Sequence, residues 1–245
     1  MTLHLDTIAS HLAGLEETLI YKLLDRAQFA GNPGAYQPRQ SGFQPPEAGS
    51  LFELRLLFQE TLDTQFGRYR IPEERPFHLG LPAPHRIPTQ ADTGLVIADL
   101  ETVNVTGEIR RAYLEWLPRL CGAGDDGQWG SSVEHDVICL QSLSRRIHYG
   151  ALYVAESKFR EDPNRFSALV AAHDDDGLFE AITRVEVEQR VLARVKAKVE
   201  AVQSVSDPAL RRLVDPETIV DFFRTAIMPL TKDGEVCYLN QRPRA

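Results

Sequence analysis

From Leu5 to Phe29 the apolar residues Ile8, Leu12, Leu15, Leu19, Leu23 and Leu24 fall three or four positions apart. That rhythm puts them on one face of an α-helix, whereas a strand would need alternation at every second residue. The same period continues over 50–70, where Ser50 stands ready to cap the first turn, and over 106–120. Residues 131–160 read as one long helix, followed by helices at 162–172, 176–181, 183–204, 207–213, 215–227 and 229–241. Prolines and glycines break every register in 31–50 and in 71–90, so both passages read as irregular. Strand signals are few, and no internal repeat stands out. The expected fold is all-α: a single domain over 1–245, a helical bundle of about ten to twelve helices around one long central helix at about 131–160.

Composition narrows the function. A chain of 245 residues with 43% hydrophobic and 25% charged residues is ordinary globular material. Its net charge of −8 and the lack of any strongly basic stretch argue against nucleic acid as the main partner. A local cationic pocket for a small anion remains open to an acidic protein. Cys121, Cys139 and Cys237 have no metal-ligand spacing and read as reduced thiols packed as small hydrophobes. The opening "MTLHLDTIASHLAGLEE" lacks the basic start and apolar core of a signal peptide, and no apolar run is long enough to span a membrane. A cytoplasmic protein without a membrane partner is expected.

Two polar stretches invite functional readings that do not hold. "GAGDDGQWG" has no GK[ST] and no preceding strand, so it reads as a loop before a helix, with Ser131 or Ser132 as N-cap. The acids of "HDDD" at 173–176 are consecutive and diverge, so a helix N-terminus explains them better than a metal does. The seven histidines contain no HExxH, and His4 and His11 read as surface or packing residues. No cofactor and no metal are expected.

"SRRIHYGALYVAESKF" at 144–159 is different. Arg145, Arg146 and Lys158 share it with a single acid, Glu156, while Ser144, Gly150, Ala151 and Ala155 leave room for something to approach. Arg145 and Arg146 lie about 100° apart on a helix, so at most one enters any pocket. On composition alone both could be surface residues.

This stretch, with "GDDGQWGSS" and "CLQSL" before it, closely resembles the all-α chorismate mutases of plants and fungi. "LEETLIYKLLDRAQFAGNPGAY" (15–36) resembles that family's first helix and following loop, "RYRIPEERPF" (68–77) a turn, and "MPLTKDGEVCYL" (228–239) the last helix, all in the family's order. The resemblance implies rearrangement of chorismate to prephenate, a homodimer, and an aromatic amino-acid effector. A [3,3] rearrangement needs no nucleophile, metal or general base. It needs a flexible dianion held compact, with its carboxylates clamped and the breaking ether bond beside a cation or proton donor. An acceleration of ~10⁶ corresponds to about 8 kcal/mol of barrier lowering, within reach of a few buried charge-assisted hydrogen bonds.

By resemblance, Arg146 binds a substrate carboxylate and Arg145 faces elsewhere. Lys158 and Glu235 meet the ether oxygen, Thr231 joins Glu235 from the last helix, and Glu188 meets the substrate hydroxyl. Thr231 and Glu235 are four apart, on one helix face. Glu235 can donate to an ether oxygen only when protonated, so burial and the anionic substrate are expected to raise its pKa. Arg68, Gly130 and Ser131 match the effector site.

Three positions depart from the family. Ala9 stands where the first helix carries a site arginine, and residues 1–21 contain no Lys or Arg. Lys158 comes twelve residues after Arg146 where the family has eleven, with Ser157 in the eleventh place. In an unbroken helix Lys158 would lie about 120° round from Arg146, so a π-bulge near 149–155 is expected to restore it. Arg184 replaces an asparagine; it could bind substrate in compensation for Ala9, or pair with Glu180 or Glu188 at the surface. At the effector site Gly67 replaces a second arginine and Glu134 a small hydroxyl residue, which argues against strong regulation. The alternatives are a pericyclic enzyme for isochorismate or 4-amino-4-deoxychorismate, or an inactive homologue with a binding role. What separates them from the first reading is whether Arg146, Lys158, Arg184, Glu188 and Glu235 converge on one cavity.

Overall fold

The computed structural model describes residues 4–44, 48–89 and 92–243. Among them are ten α-helical segments, two π-helical segments and no strand. α1 is Leu5–Arg26 and α2 Leu51–Gln65; α3 is Thr106–Leu120 and α4 Trp129–Tyr149. A π segment, Gly150–Val154, joins α4 without a break to α5, Ala155–Glu161. α6 (Pro163–Ala172), α7 (Asp175–Ile182) and α8 (Val185–Ser204) follow, and then α9 (Pro216–Phe222), a second π segment (Phe223–Ile227) and α10 (Met228–Gln241). No described helix is long and apolar enough to cross a membrane.

α4 is the central helix because its apolar residues Val133, Val137, Leu140, Leu143 and Ile147 are all buried, at the helical spacing that makes one inward stripe. They pack with Leu19, Leu23, Phe52, Leu56 and Phe223 in the larger of two cores. The smaller core gathers Ile8, Leu152, Leu178, Ile182 and Tyr238 below the π segment. At α2 the expected cap is a full capping box. Ser50 Oγ accepts from the Glu53 amide at 3.2 Å, and the Glu53 carboxylate accepts from the Ser50 amide at 3.1 Å.

Several helix ends differ from the sequence expectation. α1 stops at Arg26 rather than Phe29, and α2 at Gln65 rather than 70. Gly67, with φ +77°, takes the left-handed turn that ends α2. The long helix starts at Trp129, so neither Ser131 nor Ser132 is its N-cap. Ser132 Oγ instead accepts from Asn32 Nδ2 at 3.1 Å and donates to the Trp129 carbonyl at 3.0 Å. The Asp125 carboxylate binds Trp129 Nε1 at 2.8 Å, which orders the loop one turn earlier than periodicity suggested. No helix forms at 207–213: all seven residues are exposed, Leu210 included, and so short a helix needs a buried face. The helices expected at 215–227 and 229–241 are one continuous rod. Pro229 follows its π segment, where the wide turn absorbs the missing amide and the ring's clash with the preceding turn.

The expected π-bulge is present at 150–154, and it sits where two helices come closest. A Cβ on Gly150 would lie 2.7 Å from Thr231 Cγ2, and one on Gly234 would lie 2.6 Å from Ala151 Cβ. Hydrogen at these positions lets the α4–α5 rod and α10 run side by side at backbone distance.

Candidate active site

Close approach brings two pairs of polar side chains together across these helices. Arg146 Nη1 donates to Thr231 Oγ1 at 2.9 Å, and Thr231 in turn donates to the Ile227 carbonyl at 2.6 Å. About three turns further along the rod and one turn along α10, Lys158 Nζ donates to Glu235 Oε2 at 2.9 Å and to the Ile182 carbonyl at 2.6 Å. The extra residue in the π segment is what returns Lys158 to the face of Arg146. Ser157, in the family's lysine place, is buried.

Arg146, Lys158, Arg184, Glu188, Thr231 and Glu235 all line one cavity of about 490 Å³ between α1, the α4–α5 rod, α8 and α10. Ala9 lines it too, so its small side chain faces the space. Arg146 is buried, and its Nε has no hydrogen-bond partner. Desolvation pulls the guanidinium pKa down to about 10, with Arg194 pushing the same way and Glu16 and Glu235 opposing, so the group stays charged at neutral pH. Leaving such a cation unpaired costs several kcal/mol, and an anionic ligand would relieve that cost. Glu235 is buried as well. Burial raises its pKa, and Lys158 is the foremost of the cations that hold the rise back.

The other expected residues are placed less simply. Arg184 lines the cavity but spends its charge on Glu161, at 3.1 Å, with both side chains about half exposed; neither Glu180 nor Glu188 is its partner. Glu188 Oε1 accepts from Lys232 Nζ at 3.0 Å, and Lys232 lies over the Phe179 ring. Arg145 points away from the cavity toward Glu73 and Glu74. His11 packs against Tyr149 with ring centroids 4.3 Å apart.

Three cavity cations escaped the sequence reading: Arg190, Arg194 and Lys232. Arg194 makes a bidentate pair with buried Glu16, both contacts 2.9 Å. Val187, Arg190 and Arg194 follow one another at helical spacing, a stripe that could have flagged both arginines. Counted together, six cations line the cavity against Asp6, Glu188 and Glu235, a local excess of positive charge in an acidic protein.

The residues matched to an effector site lie elsewhere, around the end of α2 and the start of α4. Arg68 is already held from three sides: by Asp63 Oδ2 and Glu74 Oε2, each at 3.0 Å, and by Gln141 Oε1 at 2.8 Å. Gly67 packs against the Arg86 carbonyl and the Pro88 ring, where a Cβ would lie 2.5 Å from that carbonyl. Gly130 and Ser131 form the first turn of α4, and Glu134 lies 4.0 Å from Arg55.

No family model matches the chain. It is 39% identical to chorismate mutase 1, chloroplastic, of Zea mays, over 98% of this chain and 79% of that protein. Among solved structures it resembles the chorismate mutase Aro7p of Candida albicans in complex with L-Trp, with a TM-score of 0.89 and 35% identity over 98% of this chain and 92% of that one. It also resembles AtCM1 with phenylalanine bound in its allosteric site, with a TM-score of 0.87 and 34% identity over 98% of this chain and 97% of that one.

Proposed function

This chain belongs to the all-α chorismate mutase family, and from that membership we propose that it catalyses the [3,3] rearrangement of chorismate to prephenate, an isomerisation. The observation that carries the reading is the convergence of Arg146, Lys158 and Glu235 on one cavity, with buried Arg146 lacking a carboxylate partner among the described residues. Arg146 takes one substrate carboxylate. Lys158 and a protonated Glu235 bracket the ether oxygen, and Thr231 holds the Arg146 guanidinium in place. As the ether bond lengthens, its oxygen gains negative charge, so both donors bind the transition state more tightly than the ground state. Glu188, oriented by Lys232, receives the substrate hydroxyl. The protein's own residues supply every group this pericyclic step uses.

The test is purified protein with chorismate, followed by the loss of its absorbance and by NMR of the product. Rapid appearance of prephenate is expected. Turnover of isochorismate or 4-amino-4-deoxychorismate in its place would reassign the substrate, and inertness toward all three would leave a binding role. A homodimer is part of the same reading. Phe58, Leu62 and Phe66 support it, because they follow one another four apart along α2 and its cap and are each at least half exposed. Sedimentation velocity tests it, and a monomer across the micromolar range would reject it.

A further inference from the structure

Each cation that lines the cavity either has a carboxylate of its own or lacks one. Arg184 pairs with Glu161, Arg194 with Glu16, Lys232 with Glu188 and Lys158 with Glu235. Arg146 and Arg190 form no ion pair among the described residues. Arg190 makes only a long contact, from Nε to the Glu186 carbonyl at 3.4 Å. A dianion entering this cavity meets four cations that already face a carboxyl group and two that do not.

The helix register places Arg190 opposite the gap in α1. Arg194 reaches Glu16, and Lys198 reaches the Ala13 carbonyl and Glu17, while Val202 and Gln203 lie beside Tyr21 and Leu24. α1 and α8 therefore run parallel. One turn before Arg194, Arg190 comes level with the turn of α1 that carries Ala9 and Leu12, both of which line the cavity. Ala9 leaves unfilled the volume that a longer side chain would occupy, and no acid follows it before Glu16. Asp6, one turn before Ala9 on α1, also lines the cavity but makes no ion pair with Arg190, so that guanidinium can fold inward from the rim on α8 toward a ligand.

We propose that Arg190 is a substrate-binding residue, which closes over the space beside Ala9 and takes the second carboxylate of the dianion whose first is held by Arg146. This rests on the dianionic substrate proposed above. It replaces Arg184 in that role, because Arg184 would have to give up Glu161 to reach a ligand, whereas Arg190 gives up one weak contact. Arg190 is exposed, so its guanidinium loses less on binding than a preformed pair would, and its contribution falls mainly on substrate capture.

Two measurements on the full chain test the assignment. In steady-state assays with chorismate, Arg190→Ala is expected to raise KM about tenfold or more, Arg190→Lys to keep part of the affinity, and Arg145→Ala to match the wild type. Adding Ala9→Arg to Arg190→Ala should bring KM back to within about threefold of the wild type, since the new guanidinium enters the same space from α1. A KM for Arg190→Ala within twofold of the wild type, or a larger effect from Arg184→Ala, overturns the proposal. Calorimetric titration with a stable bicyclic ether dicarboxylate shaped like the rearranging substrate needs no turnover. Wild-type binding that Arg190→Ala weakens supports the assignment even if chorismate is not turned over, a result that would sink only the reaction. Binding unchanged in Arg190→Ala overturns the assignment alone, and no binding to the wild type overturns both.

Discussion

The cavity beside the π segment and the cluster at the end of α2 are both partly buried polar sites built around an arginine. They differ in what that arginine already touches. Arg68 is clamped by Asp63, Glu74 and Gln141, and its positive charge is spent inside the protein. Arg146 is more deeply buried, yet its polar partner is a threonine hydroxyl and its Nε has none. An arginine marks an anion site only where the fold withholds carboxylates from it. A satisfied cluster adds stability, and a buried cation left unsatisfied is a cost that a ligand removes.

Exchanging each arginine for methionine should separate the two sites most widely. Arg146→Met is expected to lower kcat/KM by about 10³-fold while leaving the melting temperature unchanged or higher, because it removes an unpaired buried charge. Arg68→Met should do the reverse, costing about 1–3 kcal/mol in urea unfolding with kcat/KM within about twofold of the wild type, since Asp63 and Glu74 lose their partner. Equal losses of activity from both would break the comparison.

A smaller effect should follow from pH. Glu235 must carry a proton to donate to the ether oxygen, and its carboxyl is already raised by burial. Activity is therefore expected below the Glu235 pKa of the substrate complex and should fall as pH rises through it. In Glu235→Gln the amide keeps its hydrogens, so the alkaline limb of the kcat profile should flatten. A wild-type kcat that stays level well above neutral pH would remove the protonated carboxyl from the mechanism.

Packing sharpens the same contrast. Gly234→Ala would push a methyl to within 2.6 Å of Ala151 Cβ and part the helices that carry Arg146 and Glu235. The expected cost is about 1–3 kcal/mol of stability, with a loss of kcat larger than that of binding. At the Arg68 cluster, phenylalanine, tyrosine and tryptophan are each expected to change kcat/KM by less than about twofold, because the one matched arginine is occupied. Relieving Arg68 with Asp63→Asn and Glu74→Gln should make a response to these amino acids measurable. A strong response from the wild type would show that a ligand can displace the clamp. The smallest effect belongs to Arg145→Ala, which removes a partly exposed pair with Glu73 and Glu74 and is expected to cost under about 1 kcal/mol.

Much of this could be read along the chain. The helical period located nearly every helix, because burying one face of each is what the fold does with those residues. It failed at 207–213, where the spacing was right but no surface arrived to cover it. It placed the N-cap of the long helix wrongly because Asn32, about a hundred residues away, takes the Ser132 hydroxyl. The π segment at 150–154 was legible only against the family's spacing, since the one residue more between Arg146 and Lys158 has few other ways to be absorbed. Val187, Arg190 and Arg194 share one stripe of α8, but only the packing of α8 against α1 shows that this stripe borders the cavity and not solvent alone.

Local sequence determined the helices, the breaks between them and the residue types able to hold a dianion, since backbone preference and apolar period act over a few residues. Only the tertiary structure decided which cations are free. Whether Arg68, Arg184 or Arg190 is neutralised depends on a carboxylate delivered by the path of the chain, from Glu74 or Glu161 or from none. Coulomb attraction and desolvation depend on distance and burial in space, and the order of residues along the chain does not contain them.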